Sequence, residues 1–166
     1  MVIVDKTFIE DLNRNLGIVH KVANIYFRDS PEREDVIQEM LYHLWKGYPS
    51  FRGDSKFSTW MYRVCLNTAL TYFGKSKRIA HVALSPQHSQ MGEEAVSPSN
   101  NALLWLNSAI GKLSQVNKGI ILLYLEELSY EEIAEITGLS RTNISVRLVR
   151  IKKQLEKDWE QTINKV

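Results

Sequence analysis

Apolar side chains along this chain recur at intervals of three and four, and nowhere is there a sustained alternation of period two. That spacing lines up one stripe of an α-helix, whereas a half-buried strand needs every second residue apolar. Phe8, Leu12, Leu16, Val19 and Ala23 mark a first helix over about residues 5–28, and Val36, Met40 and Leu44 mark a second ending near Lys46. Phe57, Trp60, Met61, Val64, Cys65, Thr68 and Tyr72 mark a third that begins near Ser55. Four further segments follow at about 102–113, 115–127, 130–137 and 141–158. The expected fold class is all-α.

Local chemistry agrees with these limits. Ser30-Pro31 reads as a helix cap followed by proline at the first helical position, with Glu32, Glu34 and Asp35 at the positive end of the dipole. Gly47-Tyr48-Pro49 stops the second helix, and Arg52-Gly53-Asp54 makes a tight polar turn. Residues 79–100 contain Pro86, Pro98 and several serines without a periodic apolar pattern, which is the composition of a flexible linker. The chain is therefore expected to form two small helical domains, residues 1–78 and 101–166, joined by residues 79–100.

With 44% hydrophobic and 24% charged residues, the chain has apolar mass for a core, which excludes wholesale disorder. The longest apolar run, Ile120 to Leu125, is six residues, against the ~18 that span a bilayer, so no membrane insertion is expected. Val2-Ile3-Val4 gives way at once to Asp5, unlike a secretory signal, and a single cysteine fits a reducing compartment. The expected location is cytoplasmic.

Net charge is only +2, but its distribution is uneven. No acid occurs from Ser55 to Gly92, where Lys56, Arg63, Lys75, Lys77 and Arg78 stand, nor from Ser140 to Lys153, where Arg141, Arg147, Arg150, Lys152 and Lys153 stand. Acids gather instead at Glu32, Glu34, Asp35 and Glu39 and again between Glu126 and Glu135. Two basic blocks separated by acidic ones point to two polyanion-facing surfaces and one of opposite sign.

The second basic block has a recognisable frame. Ser129-Tyr130-Glu131-Glu132 is a capping box, Gly138 suits a turn of positive φ, Leu139 fills the angle, and Ser140 caps a helix whose Ile144, Leu148, Ile151 and Leu155 face inward. This is a helix-turn-helix. The first turn of its second helix, with Arg141, Thr142, Asn143 and Ser145, would meet base edges in the major groove. Arg147, Arg150, Lys152 and Lys153 would meet phosphates. In the first basic block, Thr59, Arg63, Asn67 and Thr71 recur every four residues beside Tyr62, with Phe57 and Trp60 at the helix start. Basic, amide and aromatic groups on one surface suit unpaired bases. The turn from Ser50 to Lys56, with Arg52, offers a cradle for a base drawn out of the stack.

From about Phe8 to Leu155 the chain resembles the extracytoplasmic-function sigma factors of bacterial RNA polymerase. Asp35-Val36-Ile37-Gln38-Glu39-Met40 and Leu44-Trp45-Lys46 resemble the segment that docks on the β′ clamp helices. Phe51-Arg52-Gly53, Phe57 through Val64 and Asn67 resemble the segment that melts the promoter and reads the −10 element. Leu113, Tyr124 and Ser129 through Leu155 resemble the domain that reads the −35 element and binds the β flap. The family pattern usually has an Asp where this chain has Thr71. The resemblance implies core polymerase docking through Asp35, Gln38, Glu39 and Trp45. It implies −10 contacts by Arg52, Lys56, Phe57, Trp60, Tyr62, Arg63 and Asn67, and −35 contacts by Arg141, Thr142, Asn143, Ser145, Arg147, Arg150 and Lys153. It also implies promoter DNA, single- and double-stranded, as a partner, no cofactor, and control by an anti-sigma factor.

Enzymatic readings find no support in the motifs. Gly74-Lys75-Ser76 lacks the glycine of a phosphate-binding loop, since Ala69 stands there, and Gly53-Asp54-Ser55-Lys56-Phe57 misses the last glycine of a nucleophile elbow. His20, His43, His81 and His88 have no metal-ligand spacing, and Cys65 lies on the apolar stripe. The rival from another class is a one-component regulator, which would hold a duplex operator unaided.

Overall fold

The computed structural model describes residues 5–82 and 98–165, with side chains described for 5–75 and 101–165. Seven α-helices are found among the described residues and no strand, as the periodicity requires: α1 (Lys6–Phe27), α2 (Arg33–Gly47), α3 (Phe57–Val82), α4 (Pro98–Gly111), α5 (Gln115–Leu125), α6 (Tyr130–Thr137) and α7 (Arg141–Ile163). A short 3-10 turn, Tyr48–Ser50, follows α2. The linker reading now concerns residues 83–97, outside the described residues, because helix extends to Val82 and resumes at Pro98.

Two limits differ from expectation. Ser30 does not cap α2 directly. Its Oγ accepts from the Glu32 N–H (3.2 Å) and its carbonyl from the Arg33 N–H (3.2 Å), so Pro31 and Glu32 form a lead-in turn and the helix begins at Arg33. At the other end α7 runs to Ile163, past the last inward leucine, because Trp159 packs edge-on against Trp105 of α4 (centroids 4.8 Å).

Helices α1, α2 and α3 pack together around Val19, Val22, Val36, Met40, Leu44, Met61 and Cys65, all fully buried. Helices α5, α6 and α7 pack around Ile120, Leu123, Ile133, Ile144, Leu148 and Ile151, with α4 along α7. These are the stripes that the spacing marked. The two halves also meet, through α1 against α4 and α5 and through α3 against α6, and their buried side chains join in one cluster. Among the described residues no helix is long and apolar enough to cross a membrane.

Candidate nucleic-acid interface

The helix-turn-helix is built as its sequence dictates. Ser129 Oγ accepts from the Glu132 N–H (3.2 Å), while Glu132 Oε2 accepts from the Ser129 N–H (2.8 Å). That backbone bond, with the Lys56 ammonium, holds the Glu132 carboxyl below its usual range. Gly138 ends α6 at φ 73°, where a side chain would be strained, and donates to the Ala134 carbonyl (2.9 Å). Ser140 then caps α7 by accepting from the Asn143 N–H (3.1 Å).

With Ile144, Leu148 and Ile151 buried, the opposite face of α7 is fixed. Arg141, Thr142, Asn143, Arg150 and Lys153 are exposed on it, and Ser145 is half-buried. Asn117, Ser140, Thr142, Asn143, Val146, Arg147 and Arg150 line a shallow depression beside the start of the helix. Three residues have partners the sequence did not suggest. Arg147, expected on a phosphate, is half-buried and braces α7 on α5, its Nε donating to Asn143 Oδ1 (2.7 Å) and one terminal nitrogen to Asn117 Oδ1 (3.1 Å). With its oxygen accepting from Arg147, Asn143 keeps its NH2 as a donor. Arg141 Nε lies 2.6 Å from Glu131 Oε1, with the guanidinium over the Tyr130 ring. Lys152 is half-buried with its ammonium 4.3 Å from the Tyr124 ring centroid. Val146 and Val149, exposed on the same outer face, were missed. Their signal was in the sequence, since 142, 146, 149 and 153 repeat the four-three-four spacing opposite the buried stripe.

On α3 the expected outer stripe is only partly exposed. Arg63, Asn67 and Thr71 are exposed, but Thr59 and Tyr62 are each only 5% exposed, and α6 of the C-terminal half lies against α3. Tyr62 Oη lies 3.5 Å from Glu126 Oε2, and burial, followed by the Glu126 charge, raises its phenol well above the usual range. Arg63 donates to the Glu135 carbonyl (2.7 Å), and Lys56 Nζ lies 3.3 Å from Glu132 Oε1. Phe57 and Trp60 are half-buried in a ring cluster with Phe51 (centroids 5.2 to 5.7 Å apart) that anchors the turn to α3. Arg52 stands exposed on that turn beside Gly53 at φ 75°. Asn67 instead faces a depression between α2 and α3, with Glu39, His43, Thr71 and Lys75 on its walls. Cys65 is buried and its thiol is pushed up to about 12 by burial, which leaves it inert.

The acidic face belongs to α2. Asp35 and Gln38 are exposed and Glu39 half-buried, one turn apart, while Val36, Met40 and Leu44 face the core. Burial, followed by the charges of Glu32, Asp35 and Glu39, raises the Tyr72 phenol above its usual value. Trp45, 42% exposed, stands 6.2 Å from the ring of Tyr42, itself 50% exposed. Tyr42 was missed, although it precedes Trp45 by three residues on the same face.

Comparison with known proteins decides what this arrangement belongs to. Residues 12–79 match the family model for Sigma-70 region 2, and residues 103–155 match that for Sigma-70 region 4, together well over half of the chain. The chain belongs to the sigma-70 family, as an extracytoplasmic-function sigma factor. The ECF RNA polymerase sigma-E factor of Escherichia coli K12 is 29% identical to it over 161 aligned positions, covering 88% of this chain and 84% of the relative. The RNA polymerase sigma factor YlaC of Bacillus subtilis 168 is 27% identical over 163, covering 93% of each. In fold, this sigma factor is similar to RpoE of Bartonella quintana, solved with the anti-sigma factor NepR (TM-score 0.78, 21% identity, 93% of this chain and 98% of that one). It is also similar to CnrH, solved with the cytosolic domain of CnrY (TM-score 0.66, 20% identity, 93% and 88%). In this sigma factor α1–α3 carry region 2 and α4–α7 carry region 4.

Proposed function

We propose that this sigma factor works in the cytoplasm by docking α2 on the β′ clamp helices of core RNA polymerase, with α3 and the turn before it reading and melting the −10 element and α7 reading the −35 element. The observation that carries this reading is the separation of surfaces by sign and chemistry. The carboxylates of Asp35 and Glu39, the amide of Gln38 and the rings of Tyr42 and Trp45 sit on one helix, wrong in sign for DNA and suited to a basic protein surface. The bases and amides sit on α3 and α7. On α7, donors at Arg141, Thr142 and Asn143 and methyl groups at Val146 and Val149 match what a major groove displays, and the exposed cations Arg150 and Lys153 further along the helix suit phosphates. The β flap is the proposed partner of the C-terminal half. An anti-sigma factor is a proposed partner as well, because RpoE of Bartonella quintana, which shares the fold, was solved with the anti-sigma factor NepR.

Transcription from promoter variants by the reconstituted holoenzyme tests the division of labour. Arg141→Ala is expected to relax preference at one or two −35 positions by ~1–3 kcal/mol, the worth of a bidentate base contact. Lys153→Ala is expected to weaken all variants alike and to flatten the salt dependence. A uniform loss for Arg141→Ala reassigns it to the backbone. Asn67→Ala is expected to suppress permanganate reactivity of the −10 thymines while leaving duplex binding in place. A normal footprint removes Asn67 from the melting surface.

A further inference from the structure

Arg147 belongs to the basic block of α7, yet both of its hydrogen-bond partners are inside the protein. Its Nε donates to Asn143 Oδ1, one turn earlier on the same helix (2.7 Å), and a terminal nitrogen donates to Asn117 Oδ1 in the first turn of α5 (3.1 Å). A guanidinium has five N–H donors and no acceptor, so the atom that faces it on each asparagine must be the amide oxygen. The chemistry of the contact therefore fixes which way round both amides lie. Asn117 and Arg147 are half-buried and Asn143 is exposed, and all three border the depression at the start of α7. Both asparagines also stand on capped first turns, the Asn143 N–H donating to Ser140 Oγ (3.1 Å) and the Asn117 N–H to Ser114 Oγ (3.3 Å).

An asparagine on a recognition helix forks onto adenine by accepting from N6 and donating to N7, which needs its oxygen and NH2 side by side on the base edge. The oxygen of Asn143 is tied instead to the next turn of its own helix. Turning it to a base would take the acceptor from a half-buried, charged donor, which is costly. What remains for DNA is the NH2, which has two donors and no acceptor. Guanine displays two adjacent acceptors in the major groove, N7 and O6. Adenine sets a donor beside its one acceptor, and cytosine offers a donor.

We propose that Asn117 of α5 and Arg147 of α7 are positioning residues that set the base choice of Asn143, making it a donor-only reader that selects guanine over adenine. Given α7 as the −35 helix, on which this assignment rests, Asn117 adds a determinant from outside the helix-turn-helix. Arg147 takes no phosphate in this arrangement.

The test uses holoenzyme reconstituted with the full chain and a promoter randomised at its −35 element, with the retained duplexes sequenced. Asn143→Ala is expected to flatten the preference at one position, which identifies the base pair that Asn143 reads. In the wild type the preferred pair there is expected to contain guanine, about fivefold or more over the pair with adenine in its place. A preferred pair containing adenine overturns the proposal. Arg147→Met, which keeps an unbranched side chain and removes every donor, is expected to move that ratio about fivefold or more towards adenine and to leave the salt dependence as it was. Asn117→Ala is expected to move it the same way by less. An unmoved ratio in Arg147→Met, or a salt slope lowered by about 0.9 as for a lost phosphate contact, overturns the brace. If Arg147→Met does not fold, Asn117→Ala carries the comparison, and an unmoved ratio there is equally decisive. Arg141→Ala in the same library separates the two readings. If Asn143→Ala moves no position while Arg141→Ala moves one, α7 still reads the −35 element and the base choice alone is refuted. If neither variant moves any position, the reading of α7 falls and the base choice with it.

Discussion

Co-purification with core RNA polymerase is expected to fall about 100-fold or more when Asp35 and Glu39 are both replaced by lysine, since like charges set across an interface cost several kcal/mol. The change acts on binding, not on the fold. Both carboxylates are on the face of α2 away from Val36, Met40 and Leu44, which are fully buried. Asp35 is in the first turn of α2, so its reversal also loses a favourable dipole interaction, worth about 0.3–1 kcal/mol. That is small beside the roughly 5–15 kcal/mol of a folded domain. Circular dichroism should therefore show the wild-type spectrum and a melting temperature lowered by a few degrees at most. Lysines placed at Glu156 and Glu160, exposed on α7, repeat the change in net charge at a distance from α2 and are expected to leave co-purification intact. Retention of the Asp35 and Glu39 variant on core polymerase would move the docking surface off α2.

Leu148→Ala is the substitution expected to damage the molecule most. Leu148 is 1% exposed in the cluster where α7 meets α5 and α6, beside Ile144 and Ile151. Truncating a buried leucine costs about 2–5 kcal/mol, the transfer term plus that of the cavity left behind. A small helical half has little in reserve, so the helix-turn-helix is expected to lose its fixed angle and with it the −35 contacts. Urea unfolding measures the loss directly. Val149→Ala, the next residue along and 50% exposed, is the matched comparison. It should change stability by less than about 0.5 kcal/mol, and any effect it has on transcription belongs to the DNA. Equal destabilisation by both variants would mean that the inward face of α7 is wrongly assigned.

What could be read from the sequence was what depends on local chemistry. Ser129 and Glu132 cap α6, Gly138 turns the chain, Ser140 caps α7, and Ile144, Leu148 and Ile151 face inward, because a side chain three or four residues from its neighbour has no other way to pack. The missed features depend on partners far along the chain. Tyr62 and Thr59 lie on the polar side of α3 by spacing alone, yet both are buried, Tyr62 beside Glu126 of region 4. Arg147 looked like one more cation of a DNA face, but it braces Asn143 and Asn117, thirty residues apart from its own position in the latter case. The contact between the halves had one local sign, Gly119 between Lys118 and the apolar run that starts at Ile120, and glycine in a helix has several explanations until the facing tyrosine is seen. Ser30-Pro31 misled by two residues because a serine can cap a turn as readily as a helix.

The central claim is that this chain redirects a polymerase rather than regulating an operator alone. Run-off transcription by purified core polymerase on fragments of the source genome tests it, with and without the full-length chain. Discrete transcripts that appear only with the chain, and disappear with the Asp35 and Glu39 double reversal, are the predicted result. No new start sites, together with stable, polymerase-independent binding of the chain to a two-fold duplex site, would contradict it.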